Sequence, residues 1–175
     1  MATRRTLPPL DDDHLRTLAL RYVGRYATSR AKLHAYLLRK LKERGWGGDN
    51  SPDPEALADR MTELGYVDDA AYATMRGAAL SRRGYGPRRV DEALRHAGIA
   101  DADRAKAHGQ ADDESWQAAE RFARRKRIGP FAPARPDRPQ REKMIASFLR
   151  AGHDYATARR WVDAAPGAPP VPDEG

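Results

Sequence analysis

Residues 81 to 90 read SRRGYGPRRV, four arginines set around two glycines, a tyrosine and a proline. A guanidinium is a planar fork of donors that grips phosphate or carboxylate with two parallel hydrogen bonds. The stretch therefore fits a phosphate-gripping loop, a recognition helix or a bend with charged edges. A Walker-type loop is excluded, because GxxxxGK[ST] occurs nowhere in the chain and one GxG carries little. Other chemistry is thin. The histidines at 14, 34, 96, 108 and 153 lack the paired spacing of metal ligands and read as surface or structural residues. DADRAKAHGQADDE approaches a calcium loop, but Ala105 fills the fifth position and Lys106 stands where the glycine belongs. The aspartates at 11 to 13 read as a helix start. Cysteine is absent, which removes disulfides and thiolate catalysis and suits a reducing compartment. No nucleophile–base pair stands out. The expectation is a protein without enzymatic activity, metal or cofactor.

The elements that must carry these residues are helical. Leu15, Leu18, Ala19, Tyr22, Val23 and Tyr26 form one apolar stripe; Leu33, Leu37, Leu38 and Leu41 form a second; Leu57, Met61 and Leu64 form a third. Thr28 or Ser29 can cap the second helix, Gly45 can stop it, and Pro54 can start the third. No convincing period-two strand occurs, so the chain is expected to be all-α. The order then recurs. VDDAAYATMRGAALSRRG offers Asp68 as cap with Tyr72, Met75, Ala79 and Leu80 inward, and YGPRRVDEALRHAGI turns Val90, Ala93, Leu94 and Ala97 to one face. ADADRAKAHGQADD is a poor helix, thin in large apolar residues. A third round runs through ESWQAAERFARRKR, then Met144, Ile145, Phe148 and Leu149, then Tyr155, Ala158, Trp161 and Val162.

Gly45, Gly98 and Gly152 end the middle helix of each round and stand 53 and 54 residues apart. Such a period predicts three tandem three-helix repeats that stack on their neighbours, each too small for much core of its own. The boundaries expected are a flexible segment at 1–14, units at 15–65, 66–113 and 114–163, and a disordered, Pro-rich acidic tail at 164–175. Within this frame SRRGYGPRRV is the turn between the first two helices of the middle unit. Gly84 takes the left-handed position, Gly86 caps, Pro87 opens the next helix, and Tyr85 packs across the corner. The arginines contact a partner, or they make routine side-chain pairs such as Arg88–Glu92 and Arg95–Asp91.

Charge favours the partner. The chain carries a formal net charge of +7, concentrated in three blocks. Residues 15–44 hold nine Lys+Arg against one acid, residues 76–95 hold six against two, and residues 121–150 hold ten against two. That distribution fits a polyanionic or acidic partner. No apolar run is long enough for a transmembrane helix, and the N-terminus lacks a signal-type apolar core, so a cytoplasmic protein without membrane contact is expected.

LGYVDDAAYATMRGAALSRRGYGPRRVDEALRHAGI, residues 64–99, resembles the centre of the RecX family of regulatory proteins. RYATSRAKLHAYLLRKLKERG is similar to that family's first unit, and EKMIASFLRAGHDYATARRWV to its closing one. The connections GWGGDNSPDP and IGPFAPARPDRP are longer than the family's pattern. The resemblance implies three three-helix units in an elongated, curved array that binds in the groove of the RecA–DNA filament. It implies that the protein limits filament growth, ATP hydrolysis, strand exchange and coprotease activity, with RecA as partner and single- or double-stranded DNA as a further contact. A monomer is expected. Charge and exposure nominate Arg82, Arg83, Tyr85, Arg88 and Arg89 as contact residues, followed by Arg30, Lys32, Arg39 and Lys40, then Arg124, Arg125 and Lys126. The competing expectation is a direct nucleic-acid binder acting without RecA, with GYGPRRVDEALR as a helix-turn-helix-like reader. A plain helical scaffold is the third.

Overall fold

The structure is a computed structural model that describes residues 8–172. Among them it is all-α, with nine α-helices and one short 3₁₀ turn. No helix among the described residues is long and apolar enough to cross a membrane. By packing, the chain forms two compact units. One runs to Tyr72 and includes Ala97–Ile99; the other holds Ala73–His96 and everything from Ala100 onward.

The first unit is built on α1 (Asp12–Arg25), α2 (Arg30–Arg44) and α3 (Pro54–Glu63), each packed on the other two. Local chemistry fixes their ends. Asp11 caps α1 by accepting from the His14 amide, Ser29 caps α2, and Asp53 caps α3 ahead of Pro54. Ser29 is fully buried, and its hydroxyl also donates to the Ala97 carbonyl at 2.5 Å. The Asp69 carboxylate accepts from the Arg30 amide at 2.8 Å, placing a negative charge on the positive end of α2. Leu10, Leu15, Leu33, Leu37, Met61 and Val67 fill the core, each contributing about 1.5–3 kcal/mol by burial.

Within the segment expected to be flexible through residue 14, residues from Leu10 on are part of the packed unit. Leu10 is fully buried, its amide donates to the Gly45 carbonyl at 2.9 Å, and α1 is already helical from Asp12. Residues 1–7 lie outside the described residues.

The second unit takes α4 (Asp69–Arg82) from Ala73 on, then α5 (Pro87–His96), α6 (Asp101–Asp113), α7 (Ser115–Lys126), the 3₁₀ turn Gly129–Phe131, α8 (Arg138–Arg150) and α9 (Tyr155–Asp163). The glycine period places unit boundaries near 65 and 113, whereas packing places its boundary at Tyr72. The reason lies in α6, which buries only Ala107 and Ala111. With so little apolar bulk, α5 and α6 pack as part of one body with the helices that follow. Phe122, Phe148, Trp161, Ile145 and Val162 supply that body's main core. The chain after α9 returns to it: the Gly167 amide donates to the Pro130 carbonyl at 2.9 Å, and Arg160 donates to the Val171 carbonyl. The tail expected to be disordered from 164 is thus engaged as far as Val171, and residues 173–175 lie outside the described residues.

Several stripe residues expected inward are 39–56% exposed: Tyr26, Leu38, Leu64, Met75, Leu149 and Tyr155. Tyr26, Leu64 and Tyr155 sit at helix ends. Leu38 and Leu149 are one residue, about 100° of helix, past a buried neighbour. Met75 lies opposite the buried face of α4 formed by Ala73, Gly77 and Leu80.

Candidate functional site

α4 ends at Arg82 because Gly84 adopts φ +81° and the chain reverses there. The Gly84 amide donates to the Ser81 carbonyl at 2.9 Å, and the Tyr85 amide to the Leu80 carbonyl at 3.1 Å. α5 then opens with Pro87, and the Gly86 carbonyl receives the Val90 amide at 3.2 Å. Smallness demands both glycines, and a positive φ also demands Gly84. A Cβ on Gly84 would stand 2.8 Å from the Phe122 nitrogen of α7, and one on Gly86 would stand 2.5 Å from the Gly152 carbonyl. Two backbone bonds close the seam: Gly86 N–H to Ala151 at 2.9 Å and Arg88 N–H to Gly152 at 3.2 Å. The opening decapeptide is therefore a bend wedged between α7 and the α8–α9 turn.

His153 lies beneath it, 1% exposed, with Nε2 3.1 Å from the Gly84 carbonyl and its ring edge-on to Phe148. Desolvation holds its pKa below the ordinary value of about 6.5. The unfolded chain therefore takes up the proton more readily than the folded one. Stability is full above the unfolded value and declines as pH falls from there toward the folded value. Thermal melts between pH 7.5 and pH 5 are expected to show that decline, and His153→Gln, which keeps a donor for Gly84, is expected to flatten it. An equal decline in both proteins would refute the assignment.

Beside the bend opens a cleft of about 580 Å³ lined by Arg83, Tyr85, Phe122, Arg125, Lys126, Ser147, Arg150 and Ala151. The Arg83 and Arg125 guanidinium carbons stand 5.7 and 5.9 Å from the Tyr85 ring centroid, and Arg125 donates to the Arg83 carbonyl. No carboxylate lines the cleft. Among the described residues, none of Arg83, Arg125, Lys126 and Arg150 is in an ion pair. Four cations held together without counter-charge form a site for anionic oxygens, phosphate or carboxylate. Among the described residues no group of three or more His, Cys, Asp or Glu could hold a metal ion.

Of the nominated residues, the structure brings Arg83, Tyr85, Arg125 and Lys126 together and leaves the others elsewhere. Arg82 is exposed but does not line the cleft. Arg89, not Arg88, pairs with Glu92, at 2.5 Å; Arg95 pairs with Asp91 at 2.5 Å as expected. Arg88 borders a smaller hollow that also holds Asp112, Asp154 and His108. Arg124 reaches Glu120 at 2.7 Å and covers the Phe131 ring at 4.4 Å.

In the first unit, Arg30 bonds Asp59 and reaches Glu55 at 3.2 Å, which holds the Asp59 carboxyl below its usual range. Lys32 donates to the Tyr72 hydroxyl at 2.5 Å, and Arg39 and Lys40 share Glu43 at 3.6 and 2.5 Å. Arg30 thus braces α2 on α3. Arg30→Ala is expected to lower the thermal midpoint by about 1–3 °C. A partner assay on the same variant should match the unaltered protein, and a loss of binding there would show Arg30 to be a contact. Sequence reasoning missed Arg150. Its one signal was a basic residue two positions before Gly152, the glycine that meets the bend.

No protein-family model matches the chain. Among curated proteins it is 31% identical to the regulatory protein RecX of Myxococcus xanthus over 161 residues, covering 87% of this chain and 86% of that one. It is 32% identical to the regulatory protein RecX of Stenotrophomonas maltophilia, covering 71% and 72% of the two chains. Among solved structures, RecX from Lactobacillus salivarius superposes with a TM-score of 0.61 at 19% identity, over 83% of this chain and 90% of that one. A second crystal structure, of a regulatory protein RecX, gives 0.60 at 20% identity, over 85% and 75%.

Proposed function

We propose a function from one premise: the chain belongs to the RecX family of regulatory proteins. The protein regulates the RecA recombinase in the cytoplasm by binding the RecA–DNA filament, and it acts by occupancy and without catalysis. Binding limits filament growth, and with it ATP hydrolysis, strand exchange and coprotease activity. The observation that carries this reading is the cleft of Arg83, Arg125, Lys126 and Arg150, four cations with no carboxylate among its lining residues. Cations without counter-charge suit the acidic face of a protein or the phosphates of the strand it wraps. Basic residues elsewhere add contacts that are weak singly and strong together on a repeating polymer.

Sedimentation tests it. RecA filaments assembled on single-stranded DNA at about 0.15 M salt are pelleted with increasing amounts of the protein. It is expected to pellet with filaments at concentrations where neither free RecA nor bare DNA retains it. Equal retention on bare DNA would replace this reading with direct nucleic-acid binding.

A further inference from the structure

A second basic site, unlike the first, lies wholly within the first unit. Arg21, Tyr22 and Arg25 on α1, Tyr26 at its C-cap, and Tyr36, Arg39 and Lys40 on α2 line an open cleft of about 510 Å³. Helical spacing puts them there: 21 and 25, 22 and 26, and 36 and 40 are each four residues apart. Tyr22 and Tyr36 stack with ring centroids 4.1 Å apart and planes 16° apart. Tyr26 continues the aromatic surface 5.3 Å from Tyr22 and is half exposed. Cations rim the rings, with Arg25 5.5 Å from the Tyr26 centroid and Arg39 5.5 Å from that of Tyr36. The cleft has no acidic lining residue, and among the described residues Arg21 and Arg25 are in no ion pair.

From this geometry we infer that the α1–α2 cleft binds single-stranded nucleic acid. An unpaired base stacks against Tyr26, whose ring is tilted 53° from that of Tyr22, beside the Tyr22–Tyr36 stack, and the flanking phosphates lie on Arg21 and Arg25. The exposed ring of Tyr26, bordered by arginine, offers what an unstacked base and its backbone require, a flat π surface and donors a few ångströms beyond it. A duplex hides its base faces, so the cleft discriminates against double-stranded DNA. An acidic protein surface would use the arginines and leave the exposed ring of Tyr26 idle, so nucleic acid is the better fit. The inference does not depend on RecA.

Its test contains no RecA. Anisotropy of a labelled short oligothymidylate is measured with the full chain, Tyr26→Ala, Tyr26→Trp and Arg21→Glu/Arg25→Glu, each checked for its thermal midpoint. An oligomer of the same length with abasic sites supplies phosphates without bases. Tyr26→Ala is expected to weaken oligothymidylate about ten-fold, within the range seen for removing one stacking ring. Tyr26→Trp should bind at least as well as the unaltered chain. The abasic oligomer should bind the unaltered chain no better than oligothymidylate binds Tyr26→Ala. The double arginine reversal should also lower the salt slope by about one to two units. Tyr26→Ala binding that matches the unaltered chain overturns the inference, as does equal affinity for the abasic oligomer. Losses confined to the arginine variant overturn it as well, leaving a cationic patch open to any polyanion.

Discussion

The triple reversal Arg83→Glu/Arg125→Glu/Arg150→Glu is expected to yield a folded protein that no longer engages RecA filaments. All three side chains point into a cleft with no carboxylate of their own to satisfy, so reversing them breaks no internal ion pair. The internal losses are the Arg125 bond to the Arg83 carbonyl and the contacts of Arg83 and Arg125 with the Tyr85 and Phe122 rings. The thermal midpoint should therefore move by only a few degrees. Against an anionic partner, each reversal exchanges attraction for repulsion. Three together should weaken filament binding by roughly a thousand-fold. Equilibrium sedimentation or interferometry on immobilised filaments measures this. The companion reversal at Arg124, which is occupied by Glu120 and the Phe131 ring, should cost far less. Matching losses from both variants would mean that general charge, not this cleft, drives binding.

Gly152→Ala is expected to be the most damaging of the small substitutions around the bend. The residue sits at φ +93°, and its added Cβ would lie 2.4 Å from the Arg89 nitrogen and 2.6 Å from the Arg89 Cβ. Backbone in this region costs an L-residue about 1–3 kcal/mol, and forcing two packed segments apart costs about 1–3 kcal/mol more. The thermal midpoint of the second unit should drop by about 10 °C or more. Gly109→Ala is the control. It lies within α6 with nothing inside 4 Å, so the alanine should stabilise by about 0.5–1 kcal/mol through better helix propensity. Calorimetry on the two variants separates the effects. A Gly152→Ala protein that melts with the unaltered chain would mean the bend is not wedged against the α8–α9 turn.

The helices were legible because their signals are local. Ser29, Pro54, Asp68, Gly84 and Pro87 mark starts and stops through chemistry confined to a few residues, and the structure places them accordingly. The site was only half legible, for a geometric reason. In each basic doublet the two residues differ by about 100° around the helix. Packing of Phe122 and Phe148 turns Arg125 to the cleft and Arg124 away from it. Arg83 rather than Arg82 enters because Gly84 reverses the chain at that point. The same logic hid Arg150, an ordinary surface residue in sequence, which becomes a cleft wall only once the α8–α9 turn meets Gly86. The tyrosines at 22 and 26 read as apolar stripe, and nothing in their period announces that two helices leave Tyr26 open.

The most direct measurement is ATP hydrolysis by RecA on single-stranded DNA while the protein is titrated below one copy per RecA protomer, beside the triple arginine reversal. The account predicts inhibition by the unaltered chain at these substoichiometric amounts, and none by the folded variant. Hydrolysis untouched by the unaltered chain, or inhibited equally by both, would contradict it.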